Sequence, residues 1–143
     1  MNTRMQQSHE VRAAVQGLVA ALHAHDREAY LAALAPDVTF ILPREATPLR
    51  SRDQLRAVWK RWEARGGRLD ACHAWDLDVR RIGGALATAT QVVSLHLAGR
   101  PGPVHHRETL VLERGQEGAW LVVHGHRSPH PSEWAGAALP AAA

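Results

Sequence analysis

Three short glycine-bearing links, IGG, GRPG and RGQEG, constrain this chain more than any other feature. They separate four segments rich in strand formers, at roughly 69–82, 85–98, 103–114 and 119–129. Links of this length join antiparallel neighbours, whereas a parallel pair needs a crossover of about a dozen residues. The second half of the chain is therefore expected to be an antiparallel meander, and it needs a cover for its apolar face.

The first half supplies that cover. Residues 8–25 read as a helix capped by Ser8, with Glu10 in the first turn and Val11, Val15, Leu18 and Leu22 on one buried stripe. Asp26 caps a second, short helix that carries Tyr30, Leu31 and Leu34 and stops before Pro36. Val38 to Leu42 is a short strand closed by Pro43, and 43–50 is a loop. Ser51 and Gln54 have capping-box spacing for a third helix. Its Leu55, Val58, Trp59 and Trp62 share a face, and Gly66 with Gly67 ends it. The order predicts an α+β fold with helices on one face of the sheet. One domain over 8–130 is expected, with a flexible N-terminus (1–7) and a flexible C-terminal tail (131–143).

Composition narrows the function. With 45% hydrophobic residues the chain can build a core, and no run approaches the ~18 apolar residues of a membrane span. The start MNTRMQQSHE lacks the apolar stretch of a secretory signal, and Cys72 is the only cysteine, so a cytoplasmic location is expected. A pI near 10 invites a nucleic-acid reading. Against it, net charge is only +3, the basic residues are dispersed, and sixteen of the seventeen are Arg, with Lys60 the exception. No aromatic residues interleave with basic clusters as stacking platforms would. Neither nucleic acid nor membrane is expected as a partner. The glycine links are hairpin turns and not strand-to-helix phosphate loops, so no nucleotide cofactor is expected.

Centring each hairpin on its turn pairs Glu108 with Gly125, Val93 with Glu108, and Trp75 with Gln91. One face then carries Trp75, Leu77, Val93, Leu95, Leu110, Leu112, Leu121 and Val123, with His73, Gln91, His106, Glu108 and Arg127 set among them. The other carries Thr88, Thr90, Val92, Arg107, Thr109, Val111, Trp120, Val122, His124 and His126. The first face suits the helices. A buried Arg127 needs a partner, and Glu108 is the candidate. The second face is too apolar for plain solvent surface and is expected to form a homodimer through Arg107, Thr109, Trp120, Val122, His124 and His126.

Four segments carry a family resemblance over residues 8–130. ALHAHDREAYLAALAPDVTFILP resembles the paired first helices and first strand of the nuclear-transport-factor-like, or SnoaL-like, superfamily. SRDQLRAVWKRW resembles its third helix, and HHRETLVLERGQEGAW its penultimate strand and turn. WLVVHGHRSPHP is similar to the last strand of the calcium/calmodulin-dependent kinase II hub (association-domain) group, and this motif is the most specific of the four. The resemblance implies a cone-shaped, curved antiparallel sheet of the cystatin-like kind, its concave face closed by three N-terminal helices. It also implies a pocket between sheet and helices and dimerisation through the outer face.

The resemblance further implies that Arg127 matches a pocket arginine that binds carboxylates in the hub group. Two further pocket arginines of that group fall at Leu110 and Gln91. The ketosteroid-isomerase branch places a general-base Asp where this chain has Leu42, and an oxyanion-hole Tyr where it has Leu18. Hydrocarbon side chains move no protons, so that mechanism is disfavoured.

The catalytic candidates are Glu108, Arg127 and His73, with Arg127 stabilising negative charge and Glu108 or His73 moving a proton. Tyr30, Phe40, Trp59, Trp62, Trp75 and Gln91 are candidates for holding a small hydrophobic molecule that bears a carbonyl or carboxylate. His124 and His126 point the same way on a strand, but a metal needs a third or fourth converging ligand, so no metal is expected. Cys72 points away from His73, which leaves no thiolate–imidazole pair. Two functions stay open: a cofactor-independent isomerase, cyclase or dehydratase, and a non-catalytic ligand-binding or oligomerisation module of the hub type.

Overall fold

The computed structural model describes residues 3–133. Three helices, α1 (Thr3–His23), α2 (Arg27–Ala32) and α3 (Arg52–Ala64), pack on a five-stranded sheet. The strands are β1 (Leu34–Ile41), β2 (Leu69–Arg81), β3 (Leu86–Leu97), β4 (Val104–Arg114) and β5 (Trp120–Pro129), followed by a 3-10 turn at Pro131–Glu133. Sheet order is β1-β5-β4-β3-β2. The fold is α+β, as expected. No helix among the described residues is long and apolar enough to cross a membrane. The part of the expected C-terminal tail from 134 to 143 lies outside the described residues.

Local chemistry sets the helix ends. Asp26 accepts a hydrogen bond from the Ala29 amide and Ser51 one from the Gln54 amide, each satisfying a first-turn N–H. At the end of α3 the Gly66 amide donates to Glu63 and the Gly67 amide to Trp62, with Gly66 at φ +88°. Ser8 does not cap α1. That helix already begins at Thr3, and the Ser8 hydroxyl donates back to the Arg4 carbonyl.

The meander from β2 to β5 is antiparallel, and β1 lies parallel to β5 at the sheet edge. The short links could not fix the direction of β1, because its chain connection runs through α3. β1 also begins at Leu34, four residues before the expected start, and its ladder is irregular between Leu34 and Thr39. Pro36 lies in that interval, where a missing amide costs no ladder bond.

Two bulges change which residues face inward. Between Trp75 and Asp78 the β2–β3 register shifts, with Asp76 at φ +58°. Above this bulge the faces reverse: Cys72 is buried, while His73 is exposed and Trp75 is 43% exposed. His73 and Trp75 therefore face away from the helices, contrary to the turn-centred register. Between Val111 and Leu112 the β4–β5 ladder shifts as well, and Val123 is the extra residue. Trp120 and Val122 consequently turn into the core, and they are not on the outer face. Trp120 donates its indole N–H to Glu10 of α1, and the Arg81 guanidinium stacks on its ring. In both β3–β4 and β4–β5 the pairing near the site differs from the turn-centred estimate by two residues, which preserves faces.

Candidate functional site

The helices do not seal the sheet evenly. Val11, Val15, Leu18 and Leu22 of α1 are fully buried against it. On α3 only Leu55 is buried; Val58, Trp59 and Trp62 lean on the core with part of their surface free. Between α3 and the sheet lies a cavity of about 600 Å³, partly open to solvent. Tyr30, Phe40, Leu42, Val58, Trp59 and Trp62 wall one side, and Leu69, Leu95, Leu97, Val104, His106 and Arg127 the sheet side. Its surface is mainly hydrocarbon and aromatic, with few polar groups.

The polar groups form one connected set at the sheet. Arg127 and Glu108 are direct cross-strand partners on β5 and β4. Arg127 Nε donates to Glu108 Oε2 at 2.6 Å, and Gln91 Nε2 donates to Glu108 Oε1 at 2.8 Å. Arg127 Nη2 donates to the Tyr30 hydroxyl oxygen at 3.3 Å. Among the described residues Arg127 Nη1 has no acceptor, and the Tyr30 proton has none either. Glu108 is 4% exposed and does not line the cavity. It sits behind Arg127 with each oxygen accepting one hydrogen bond, and so orients the guanidinium.

Burial and charge set the protonation states. Burial pushes the Tyr30 hydroxyl up to about 12, and the nearby Arg127 charge offsets only part of this. Burial likewise raises the Cys72 thiol to about 11. His106 moves the other way, to about 4, because burial and then the charge of Arg127 disfavour the imidazolium. Arg127 itself is desolvated, yet Glu108 and Tyr30 hold its pKa above the ordinary value. At neutral pH the inner part of the cavity thus presents a charged guanidinium, a phenol and a neutral imidazole. Among the described residues the buried His106 Nδ1 and Trp59 Nε1 have no partner.

The His106 shift has a consequence for stability. The unfolded chain binds the proton near 6.5 and the folded chain only near 4, so between these values the unfolded state holds more protons. The His106 contribution to stability falls as pH drops through that window and levels off below it. In urea melts, His106→Gln should remove roughly 1–3 kcal/mol of the loss between neutral pH and about pH 4.

Of the residues singled out from sequence, Arg127, Tyr30, Phe40, Trp59 and Trp62 line the cavity together. Gln91 and Glu108 stand behind Arg127. His73 lies outside, between the rings of His23 and His96 at 5.3 and 5.7 Å, and Trp75 meets the His105 ring at 5.7 Å. His124 is held by Thr39, Oγ1 to Nδ1 at 2.7 Å. His106 lines the cavity on the face that alternation from Glu108 predicts, and alternation alone assigns it no chemistry. The cavity mouth was missed altogether: Arg44, Glu45, Arg61, Arg65 and Arg100 come from two loops and a helix end. The one legible signal was the i, i+4 spacing of Arg61 and Arg65 beside Trp62.

The fold has many solved counterparts. An NTF2-like protein of unknown function from Pseudomonas putida superposes with a TM-score of 0.76 at 21% identity, covering 94% of each chain. A ketosteroid isomerase-like protein from Erwinia carotovora gives 0.75 at 16% identity, over 86% of this chain and 95% of the other. A protein of Xanthomonas campestris, provisionally assigned as a calcium/calmodulin-dependent protein kinase II association domain, gives 0.71 at 23% identity over 85% and 86%. No curated protein matches the chain. The pattern of the SnoaL-like domain family matches residues 11–132, and the chain belongs to that family.

Proposed function

We propose that this protein binds a small hydrophobic molecule in the cavity under α3, with a carbonyl or carboxylate oxygen of the ligand on Arg127. One observation carries the reading: an aromatic-walled cavity whose single charged floor group is oriented by buried Glu108, with Arg127 Nη1 and the proton of the adjoining Tyr30 hydroxyl unengaged among the described residues. A preorganised donor pair in an apolar enclosure favours an anionic or polarised oxygen. Of the two neutral titratable groups beside Arg127 in the cavity, Tyr30 is raised and His106 is lowered. That favours binding over acid–base turnover. A second reading, a cofactor-independent isomerase, cyclase or dehydratase, draws on the unpartnered Nδ1 of His106, a neutral imidazole able to take a proton.

A titration with decanoate followed by NMR tests the main reading. The indole signals of Trp59 and Trp62 should shift saturably while that of Trp75 stays in place. Absence of saturable shifts at Trp59 and Trp62 would overturn it.

We also propose that the outer sheet face pairs with a second copy of this chain. Its centre carries short side chains, with Thr88, Thr90, Val92 and Val111 around exposed Thr109 and Arg107 opposite Val92, while Trp75 and Ile41 remain 43% and 36% exposed toward opposite edges. Pairing about a two-fold axis would place the same patch of both copies in contact. Thr109→Glu should convert a dimer to a monomer in light scattering without changing the melting of secondary structure; a monomeric wild type would contradict the pairing.

A further inference from the structure

The cavity mouth carries charge that the floor does not explain. Arg44 follows β1, Arg61 lies on the last turn of α3 and Arg65 caps its C-terminus, and Arg100 sits in the β3–β4 turn, yet all four line one opening. All four are exposed. Among the described residues none has a carboxylate partner. Arg56, on the same α3, is by contrast held by Glu28 and Asp53. Glu63, the acid closest in sequence to Arg61 and Arg65, is occupied by His25 and Arg27. Glu45 is the one acid at the mouth. A helix C-terminus attracts a basic residue, which accounts for Arg61 or Arg65. It does not account for Arg44 and Arg100, which arrive from separate loops.

We infer that the ligand is anionic at its solvent end as well: an apolar middle in the aromatic cavity, an oxygen at Arg127, and a carboxylate or phosphate held at the mouth by Arg44, Arg61, Arg65 and Arg100. The inference rests on the pocket reading above and adds the second anion. Exposed ion pairs are individually weak, but a cluster of one sign acts collectively on a ligand anion and is screened by salt. The expected gain from the outer anion is therefore modest, salt-sensitive and measurable.

Three ligands of one chain length separate the claims: decanoate, ω-hydroxydecanoate and decanedioate. Calorimetric titration of the wild type at low salt should give decanedioate about tenfold tighter binding than ω-hydroxydecanoate. The ratio should collapse in Arg61→Ala/Arg65→Ala, whose exposed positions leave the fold intact, and in about 0.5 M salt. A further gain with ω-phosphonodecanoate would support the second anion and assign it to phosphate. Equal affinity for decanedioate and ω-hydroxydecanoate in the wild type, or a ratio unchanged in the double variant, would overturn the second anion while leaving the pocket reading in place. If none of the three binds, both readings fall.

Discussion

Glu108→Ala is expected to destabilise the protein by about 3–5 kcal/mol, a large share of the roughly 5–15 kcal/mol that holds a domain of this size together. The reason is what remains behind. Glu108 is 4% exposed, and its carboxylate takes hydrogen bonds from both Arg127 and Gln91. Truncation leaves a guanidinium with 10% side-chain exposure and no counter-charge, beside an amide with no acceptor. Replacing both partners, as Glu108→Gln/Arg127→Met, should cost far less, because the desolvation of both charges disappears with their attraction. Urea melts of the two variants at neutral pH check this. Equal losses would mean that the pair does not behave as a buried ion pair.

The second large effect is steric. Gly125 of β5 lies beside Phe40 of the parallel strand β1. A Cβ added there would meet the Phe40 ring at 2.2, 2.4 and 2.7 Å. Phe40 is completely buried, so its ring has nowhere to retreat. Gly125→Ala should cost about 1–3 kcal/mol and lower Tm by several degrees, and Gly125→Val should cost more. Phe40→Leu/Gly125→Ala should recover part of the loss, giving a non-additive double-mutant cycle read by calorimetry. Gly67 offers a contrast. Its added Cβ would meet the Trp62 indole at 2.3 Å, but Trp62 is only half-buried and can swing aside. That substitution should alter the cavity wall more than the stability.

Much of this was legible in the sequence, for local reasons. The α1 stripe Val11, Val15, Leu18 and Leu22 follows helical period, and its burial is what the period demands. Arg127, Glu108, His106 and Gln91 fell on one face because the ladder is regular from Val104 to Val111 and from His124 to Pro129. Alternation fails only across a bulge. A bulge is a choice between two ladders one residue apart, decided by which set of side chains the core accepts. At β5 the core accepts Trp120 and Val122; at β2 it accepts Cys72, with Asp76 absorbing the kink at positive φ, a conformation Asp tolerates better than most residues. Neither choice is visible in a hydrophobic pattern that reads well in both registers. The arginine mouth was invisible for another reason: it is assembled from segments distant in sequence, and only the tertiary path of the loops brings them together.

Under the proposed function, a charged side chain at the base of an oily chamber accepts a foreign oxygen. The most direct measurement is a titration of tryptophan fluorescence with decanoate, comparing the wild type with Glu108→Gln/Arg127→Met after circular dichroism has shown both folded. Saturable binding in the wild type, weakened at least about tenfold in the double variant, is the predicted result. Identical affinities in the two proteins would contradict it.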